Sequence, residues 1–300
     1  MGPDLDMKSS SRSPRPDAGP APAPDRADDA PARSDAESKN VLSSARRVLQ
    51  GLQVIAEARE PVTLAALADA LGTSEVAAYR VACTLIAEGY VRQAPSRRAG
   101  YELTWKIVEM ATARLERTEL RTVAAERLAA LAEHYAESIT VAIPDGDHVV
   151  FVDKVNANRD VQFYCDIGKR LPLHVGAASR AILAHGPERL SGQYLSRTLT
   201  TFTDATPLEP DAIRADLERI RNIGYAVSIG DVEVGISAIA APIVNARSEI
   251  LGAAAIANVS AKWSDDDIRD RGEDLKRVCA EISAECAQLD QPFVLAPEAK

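Results

Sequence analysis

Apolar residues at helical spacing predict two short helices at the start of the folded chain. Between residues 41 and 58 they recur every three or four positions, which places them on one face of a first helix. Pro61 ends that helix. Thr63 can cap a second helix over LAALADALG, which is expected to stop at Gly72.

A third helix is predicted a few residues later, with Thr73 or Ser74 as its cap. Five apolar residues are expected to face the core: Val76, Ala78, Val81, Ala82 and Leu85. Two short helices joined by a turn that contains glycine are typical of a helix-turn-helix. YVRQ and YELT, on either side of a loop with Pro95 and Gly100, predict the strands of a wing. Residues 41–104 are therefore predicted to form a winged helix-turn-helix.

The third helix carries polar side chains near its start, where such a helix meets DNA. In this motif the second helix of the pair enters the major groove with its N-terminal turns. Tyr79 and Arg80 would then be exposed, and Arg80 could pair with guanine or with a phosphate. Basic residues suited to phosphates are clustered at Arg46, Arg47, Arg97 and Arg98. The alternative is that Tyr79 and Arg80 belong to an ordinary solvated face of the third helix. Glu75, in the first turn, complements the helix dipole but would repel phosphates.

The rest of the chain predicts a linker helix over residues 105–118 and an α+β domain over residues 119–290. Strands are expected at SITVAIP, HVVFVDKV, residues 161–167, AVSIGDVEVG, ISAIAAPIV and ILGAAAIANV. Helices are expected over residues 120–136, from near 177 to near 185, over 211–223 and over 265–289. Because strands and helices do not alternate regularly, an antiparallel sheet in an α+β fold is predicted.

Small residues begin the helix near residue 177. Gly176, Ala177, Ala178 and Ser179 would let a ligand approach backbone N–H groups, where the helix dipole favours an anion such as a carboxylate. Close packing against a neighbouring sheet explains the same residues equally well.

Composition distinguishes the two ends of the chain from its folded part. Residues 1–40 hold seven of the seventeen prolines and no aromatic residue, so a disordered tail is expected there, and residues 291–300 form a C-terminal tail. The chain has no secretory h-region and no run of the ~18 apolar residues that a membrane span needs, so a cytoplasmic protein without membrane contact is expected. The net charge of −9 opposes nucleic-acid binding, but residues 41–110 hold eight Lys and Arg against seven Asp and Glu.

Sequence motifs for catalysis and for metal or cofactor binding are not found. The chain has no GxSxG, HExxH, GxGxxG or Walker-type loop. His174 could act as a general base, although a histidine that holds a turn by hydrogen bonds is the more common case. The four cysteines show neither a CxxC pair nor nearby histidines, so no metal site and no disulfide framework are expected. We expect no catalytic residue and no cofactor.

Several segments together resemble the IclR family of bacterial transcriptional regulators. They are YRVACTLIAEGYV, GKRLPLHVGAASRAILA, GYAVSIGDVEVGISAIAAPI and LGAAAIANV, within a resemblance that covers residues 41–289. The resemblance implies a winged helix-turn-helix, a linker helix and a GAF-like effector-binding domain. It also implies homodimers or homotetramers on palindromic double-stranded operator DNA, with small organic or aromatic acids as frequent effectors.

The resemblance also implies the positions of the two sites. It puts Thr73, Ser74, Tyr79 and Arg80 near DNA. It puts eight residues around the effector: Leu173, Gly176, Ala177, Ala178, Ser228, Ala238, Ala255 and Ala257. The chain departs from the family where Val76-Ala77 replace a common Ser-Thr pair, and where Ser179-Arg180 replace the usual Gly-Lys. The alanines in the effector site suggest a more apolar ligand.

Two functions remain open at this point. The first is a transcription factor whose DNA binding responds to a small-molecule effector. The second is a metabolite-binding enzyme or sensor module whose winged helix contacts another protein. Sequence-selective binding to duplex DNA distinguishes the two.

Overall fold

A computed structural model describes residues 42–95, 100–155 and 166–289. Its N-terminal part consists of helices α1 (Ser43–Glu57), α2 (Leu64–Ala70) and α3 (Glu75–Ala87) and strands β1 (Val91–Gln93) and β2 (Tyr101–Leu103). The two strands pair antiparallel as the wing. The expected tails over residues 1–40 and 291–300 lie outside the described residues.

The caps that the sequence predicts are formed at the starts of α2 and α3. The Thr63 hydroxyl accepts a hydrogen bond from the Ala66 N–H at 3.2 Å, and the Ser74 hydroxyl accepts one from the Ala77 N–H at 3.4 Å. Between the helices, Gly72 has a φ of +57°, a conformation that glycine adopts without strain. The turn between the two helices is therefore set by local sequence.

The inner face of α3 packs in a small core with α1 and α2, but one expected core residue is not in it. Ala78, Val81, Ala82 and Leu85 are buried. Val76 is 69% exposed, so its expected place in the core is wrong. Residue 76 lies two positions before Ala78, and a helical step of about 100° per residue moves it to the opposite side.

The C-terminal part begins with α4 (Lys106–Glu116), a helix without a buried residue, and α5 (Glu119–Tyr135). Its further helices are α6 (Ala177–His185), α7 (Glu188–Leu195), α8 (Pro210–Ile223) and α9 (Asp265–Glu285). Its strands are β3 (Ser138–Asp145), β4 (His148–Val155), β5 (Arg170–Pro172), β6 (Ala226–Ile229), β7 (Ile236–Val244) and β8 (Ile250–Val259). Helix α7 was not predicted, and the strand expected at residues 161–167 lies mostly outside the described residues. Within the described ranges, no helix is long and apolar enough to cross a membrane.

The six strands form one antiparallel sheet in the order β5-β4-β3-β8-β7-β6, and both faces of it are covered. On the first face, α6 packs on a core that includes Ala142, Ala240, Ala253 and Ala255. On the second face, α5 and α9 pack on larger side chains, including Ile139, Val141, Ile239, Ile243 and Ile256. The predicted α+β class is therefore observed, and the first face carries the smaller residues.

Buried His174 ties the segment before α6 to the loop after α7. Its Nε2 lies 3.0 Å from the Thr200 carbonyl oxygen, which can only accept, so Nε2 carries the proton. The Tyr194 hydroxyl then donates to Nδ1 at 2.7 Å. Burial lowers the pKa of His174 below its usual value. His174 is therefore neutral and holds a turn, as the sequence suggested for a histidine at this place.

Replacement of Gly252 by alanine should destabilise the sheet. A methyl group there would lie 2.5 Å from the Ala142 carbonyl oxygen and 2.8 Å from the Leu120 side chain. We expect a loss of about 1 to 3 kcal/mol in the free energy of unfolding, measured in urea. Gly192→Ala is the matched control, since nothing lies within 4 Å of the added atom and alanine favours a helix. Equal stability of the two variants would contradict this packing.

Unfolding measurements at two pH values should reveal the neutral state of His174. Because its pKa is lowered in the folded state, the unfolded chain binds a proton first as pH falls below about 6.5. Stability is thus complete above that pH and is lost below it. His174→Gln should be less stable than the parent chain at pH 8 but should lose less stability between pH 8 and pH 5.5. If His174→Gln lost as much stability between the two pH values as the parent chain, the neutral state of His174 would be contradicted. His185, whose pKa is also lowered by burial, is present in both chains and contributes equally to both.

Candidate DNA-binding surface and ligand cavity

The outer face of α3 carries exposed side chains. Tyr79 is 53% exposed and Arg80 is also exposed. A hydrogen bond with the Cys83 side chain, one turn further on, is the main reason that the pKa of Tyr79 is raised. Among the described residues, we find no hydrogen bond or ion pair that occupies the Arg80 guanidinium. Its donors are therefore available to a partner.

The other residues predicted to contact DNA have different surroundings. Arg46 and Arg47 are exposed on α1, which packs against α3. Thr73 is half-buried in the turn, and the Ser74 hydroxyl is used as the cap of α3. Arg97 and Arg98 lie outside the described residues. In the wing, Arg92 pairs with Glu102 at 2.8 Å, so its charge is already partly neutralised.

A cavity of about 400 Å³, including its opening to solvent, lies between α6 and the first face of the sheet. Its lining contains seven of the eight residues expected around an effector: Gly176, Ala177, Ala178, Ser228, Ala238, Ala255 and Ala257. Leu173 is not among the lining residues and is fully buried in the adjoining core. The structure thus brings together residues that are up to 81 positions apart in sequence.

Five further side chains line the cavity, and the sequence reasoning did not include them: Thr140, Phe151, Leu171, Val232 and Ile236. Thr140 belongs to β3, which pairs with β8, and Phe151 belongs to β4, which pairs with β3. The alternation of the hairpin strands could have indicated which residues share a face, but not that this face meets α6.

One buried carboxylate, that of Asp231, holds the start of α6. It accepts hydrogen bonds from the Gly176 N–H at 3.2 Å, from the Ser228 hydroxyl and from the Arg180 guanidinium. Arg180 also donates to the Val227 carbonyl at 2.6 Å and pairs with Asp216 at 3.0 Å. The negative charge of Asp231 is thus offset by a direct cationic partner.

The start of α6 borders the cavity. Gly176 has a φ of +84°, and an added Cβ would lie 3.0 Å from the Val232 side chain, so glycine is needed there. Among the described residues we find no acceptor for the N–H groups of Ala177 and Ala178, both of which line the cavity. Free N–H groups at a helix start favour a negatively charged or strongly polar group.

Comparison with known proteins gives a consistent match over both parts of the chain. The model described as "Bacterial transcriptional regulator IclR C-terminal" matches residues 112–284, and the IclR helix-turn-helix domain matches residues 44–95. The glycerol operon regulatory protein of Streptomyces coelicolor is 30% identical over 215 residues, which is 72% of this chain and 84% of the relative.

Two solved structures show the same architecture. A transcriptional regulator from Rhodococcus sp. RHA1 is 27% identical, with a TM-score of 0.71, over 83% of this chain and 100% of that one. An IclR homologue from Microbacterium hydrocarbonoxydans, solved with 4-hydroxybenzoate, is 20% identical, with a TM-score of 0.66, over 80% of this chain and 98% of that one.

These matches confirm the predicted arrangement of a winged helix-turn-helix followed by a GAF-like effector domain. The matching relatives are named as regulators of transcription, which decides against the enzyme alternative. This chain belongs to the IclR family and is a DNA-binding transcriptional regulator with an effector-binding C-terminal domain.

Proposed function

We propose that α3 reads operator DNA in the major groove, and that a small organic acid in the cavity changes the affinity for that DNA. The observation that carries the DNA proposal is the division of α3 into two faces. Val81 and Leu85 fix the helix from within, while Tyr79 and Arg80 stay exposed near its start. A helix held in this way can enter a groove without loss of its own core.

Phosphate contacts are assigned to basic residues on the flanks of α3. Arg46 and Arg47 on α1 would contact one stretch of backbone, and Arg97 and Arg98 in the wing loop another. Thr73 and Ser74 would approach the backbone at the start of α3. Two copies of the motif would bind the two halves of a palindromic operator, so we propose a homodimer or a homotetramer as the binding species.

The proposed effector carries one anionic end on a mainly apolar body. The free N–H groups of Ala177 and Ala178 suit a carboxylate, because Arg180 already offsets the charge of Asp231 nearby. The body of the ligand would lie against Phe151 and the alanines of β7 and β8. Benzoate-sized acids are therefore the first to test, as in the neighbour solved with 4-hydroxybenzoate.

Regulation follows if the acid binds one arrangement of the protein more tightly than another. An effector can shift the balance between DNA-competent and incompetent arrangements only by its difference in affinity for them. The test is to select duplexes from a random-sequence pool with the full chain, and then to titrate the best duplex with and without benzoate-sized monocarboxylic acids. If selection enriches no sequence at moderate salt, the DNA proposal fails. If no acid binds the protein, the effector proposal fails.

Arg80→Ala should weaken specific DNA binding by about 1 to 3 kcal/mol if Arg80 reads a base. Fluorescence anisotropy with the selected duplex and with a random duplex, at one fixed salt concentration, measures both affinities. Arg269→Ala removes the same charge from an exposed site on α9 and should change neither affinity. An equal loss on both duplexes would reassign Arg80 to a phosphate, and no loss on either would remove it from the interface.

Ala177→Leu should abolish the response to the acid and leave DNA binding intact. The larger side chain would occupy the cavity beside the free N–H groups. Isothermal titration gives the affinity for the acid, and anisotropy gives the affinity for DNA. The control is Ala280→Leu, the same change at an exposed position of α9. Unchanged affinity for the acid in Ala177→Leu would place the effector site elsewhere.

A further inference from the structure

The outer face of α3 carries apolar side chains beside its polar ones in the first three turns. Val76 is 69% exposed, Ala77 is half-buried, and Tyr79 and Cys83 are exposed beside them. The isopropyl group of Val76 is therefore exposed to water in the free protein. It therefore gains from any partner that offers a matching apolar group.

Two of the hydroxyl groups on this surface are already engaged. The Ser74 hydroxyl accepts a hydrogen bond from the Ala77 N–H, and the Thr84 hydroxyl donates to the Arg80 carbonyl oxygen at 2.8 Å. Arg80 is the cationic group of this face, and Glu75 is its acid. Arg80 can donate hydrogen bonds to acceptor atoms of the bases. The side chain of Val76 has neither a donor nor an acceptor, so it can only make apolar contacts.

Duplex DNA presents one apolar feature in the major groove, the C5-methyl group of thymine. Val76 and Arg80 are four residues apart and therefore lie on the same side of α3. The separation along the helix axis is about 6 Å, or about two base-pair steps if the helix follows the groove. The geometry thus gives a position for the methyl group relative to the base that Arg80 contacts.

We propose that Val76 reads a thymine methyl group within about two base pairs of the base contacted by Arg80. This inference rests on the proposed operator binding by α3 and adds the chemistry of one operator position. It assigns a specificity role to an exposed apolar residue of α3.

The test uses the full chain and the duplex that it selects from a random-sequence pool. Each thymine is replaced in turn by deoxyuridine, which removes the methyl group and keeps the base pair. For one thymine near the Arg80 contact, we expect about a fourfold loss of affinity, the factor for one methyl-sized group that leaves water. Val76→Ala should bind the thymine duplex about as weakly and should be insensitive to the same replacement.

Two controls separate the possible results. Val234→Ala removes an 82% exposed valine from the other domain and should keep the dependence on the methyl group. Thermal unfolding of Val76→Ala should match that of the parent chain, because the side chain is not in the core. If no deoxyuridine affects the parent chain, or if Val76→Ala keeps the same dependence, Val76 does not read a methyl group. If no duplex is selected at all, it is the proposed operator binding that fails.

Discussion

Side-chain size on the two faces of the central sheet is the constraint that creates the ligand cavity. Strands β3, β7 and β8 carry mainly isoleucine and valine toward α5 and α9, and mainly alanine toward α6. The larger residues fill the second interface, so the sheet is held firmly from that side. On the first face, Ala238, Ala255 and Ala257 leave space that α6 does not fill. The cavity therefore follows from composition on a single face.

The start of α6 is the point at which a ligand would meet the rest of the effector domain. Asp231 joins Gly176, Ser228 and Arg180, and Arg180 reaches on to Asp216 of α8. A molecule at the neighbouring N–H groups would thus touch a cluster that links a loop, two helices and an edge strand. Such a cluster has few alternative arrangements, because each partner that it lost would leave a buried charge or a buried polar group unpaired.

Local sequence was enough to predict features that depend on neighbouring residues. It could not predict which residues meet when strands that are distant in sequence pair. The caps at Thr63 and Ser74 and the turn at Gly72 could be predicted because each involves residues within one turn. Helix α7 was missed because Ser191 and Gly192 weaken its local signal. Phe151 could not be assigned to the cavity, since its position depends on the pairing of β4 with β3 and of β3 with β8. The resemblance to the family supplied seven residues of the lining but not these long-range neighbours.

The proposed regulation requires that binding at the cavity and binding at the DNA-binding surface are thermodynamically coupled. Its most direct test is to measure the affinity of an acid that binds the protein twice, once for the free chain and once for the chain saturated with its selected duplex. Linkage requires that the acid change DNA affinity by the same factor by which DNA changes acid affinity. We expect the two factors to be equal and both to differ from one. An acid that binds the cavity with the same affinity in the presence and absence of the duplex would contradict this coupling.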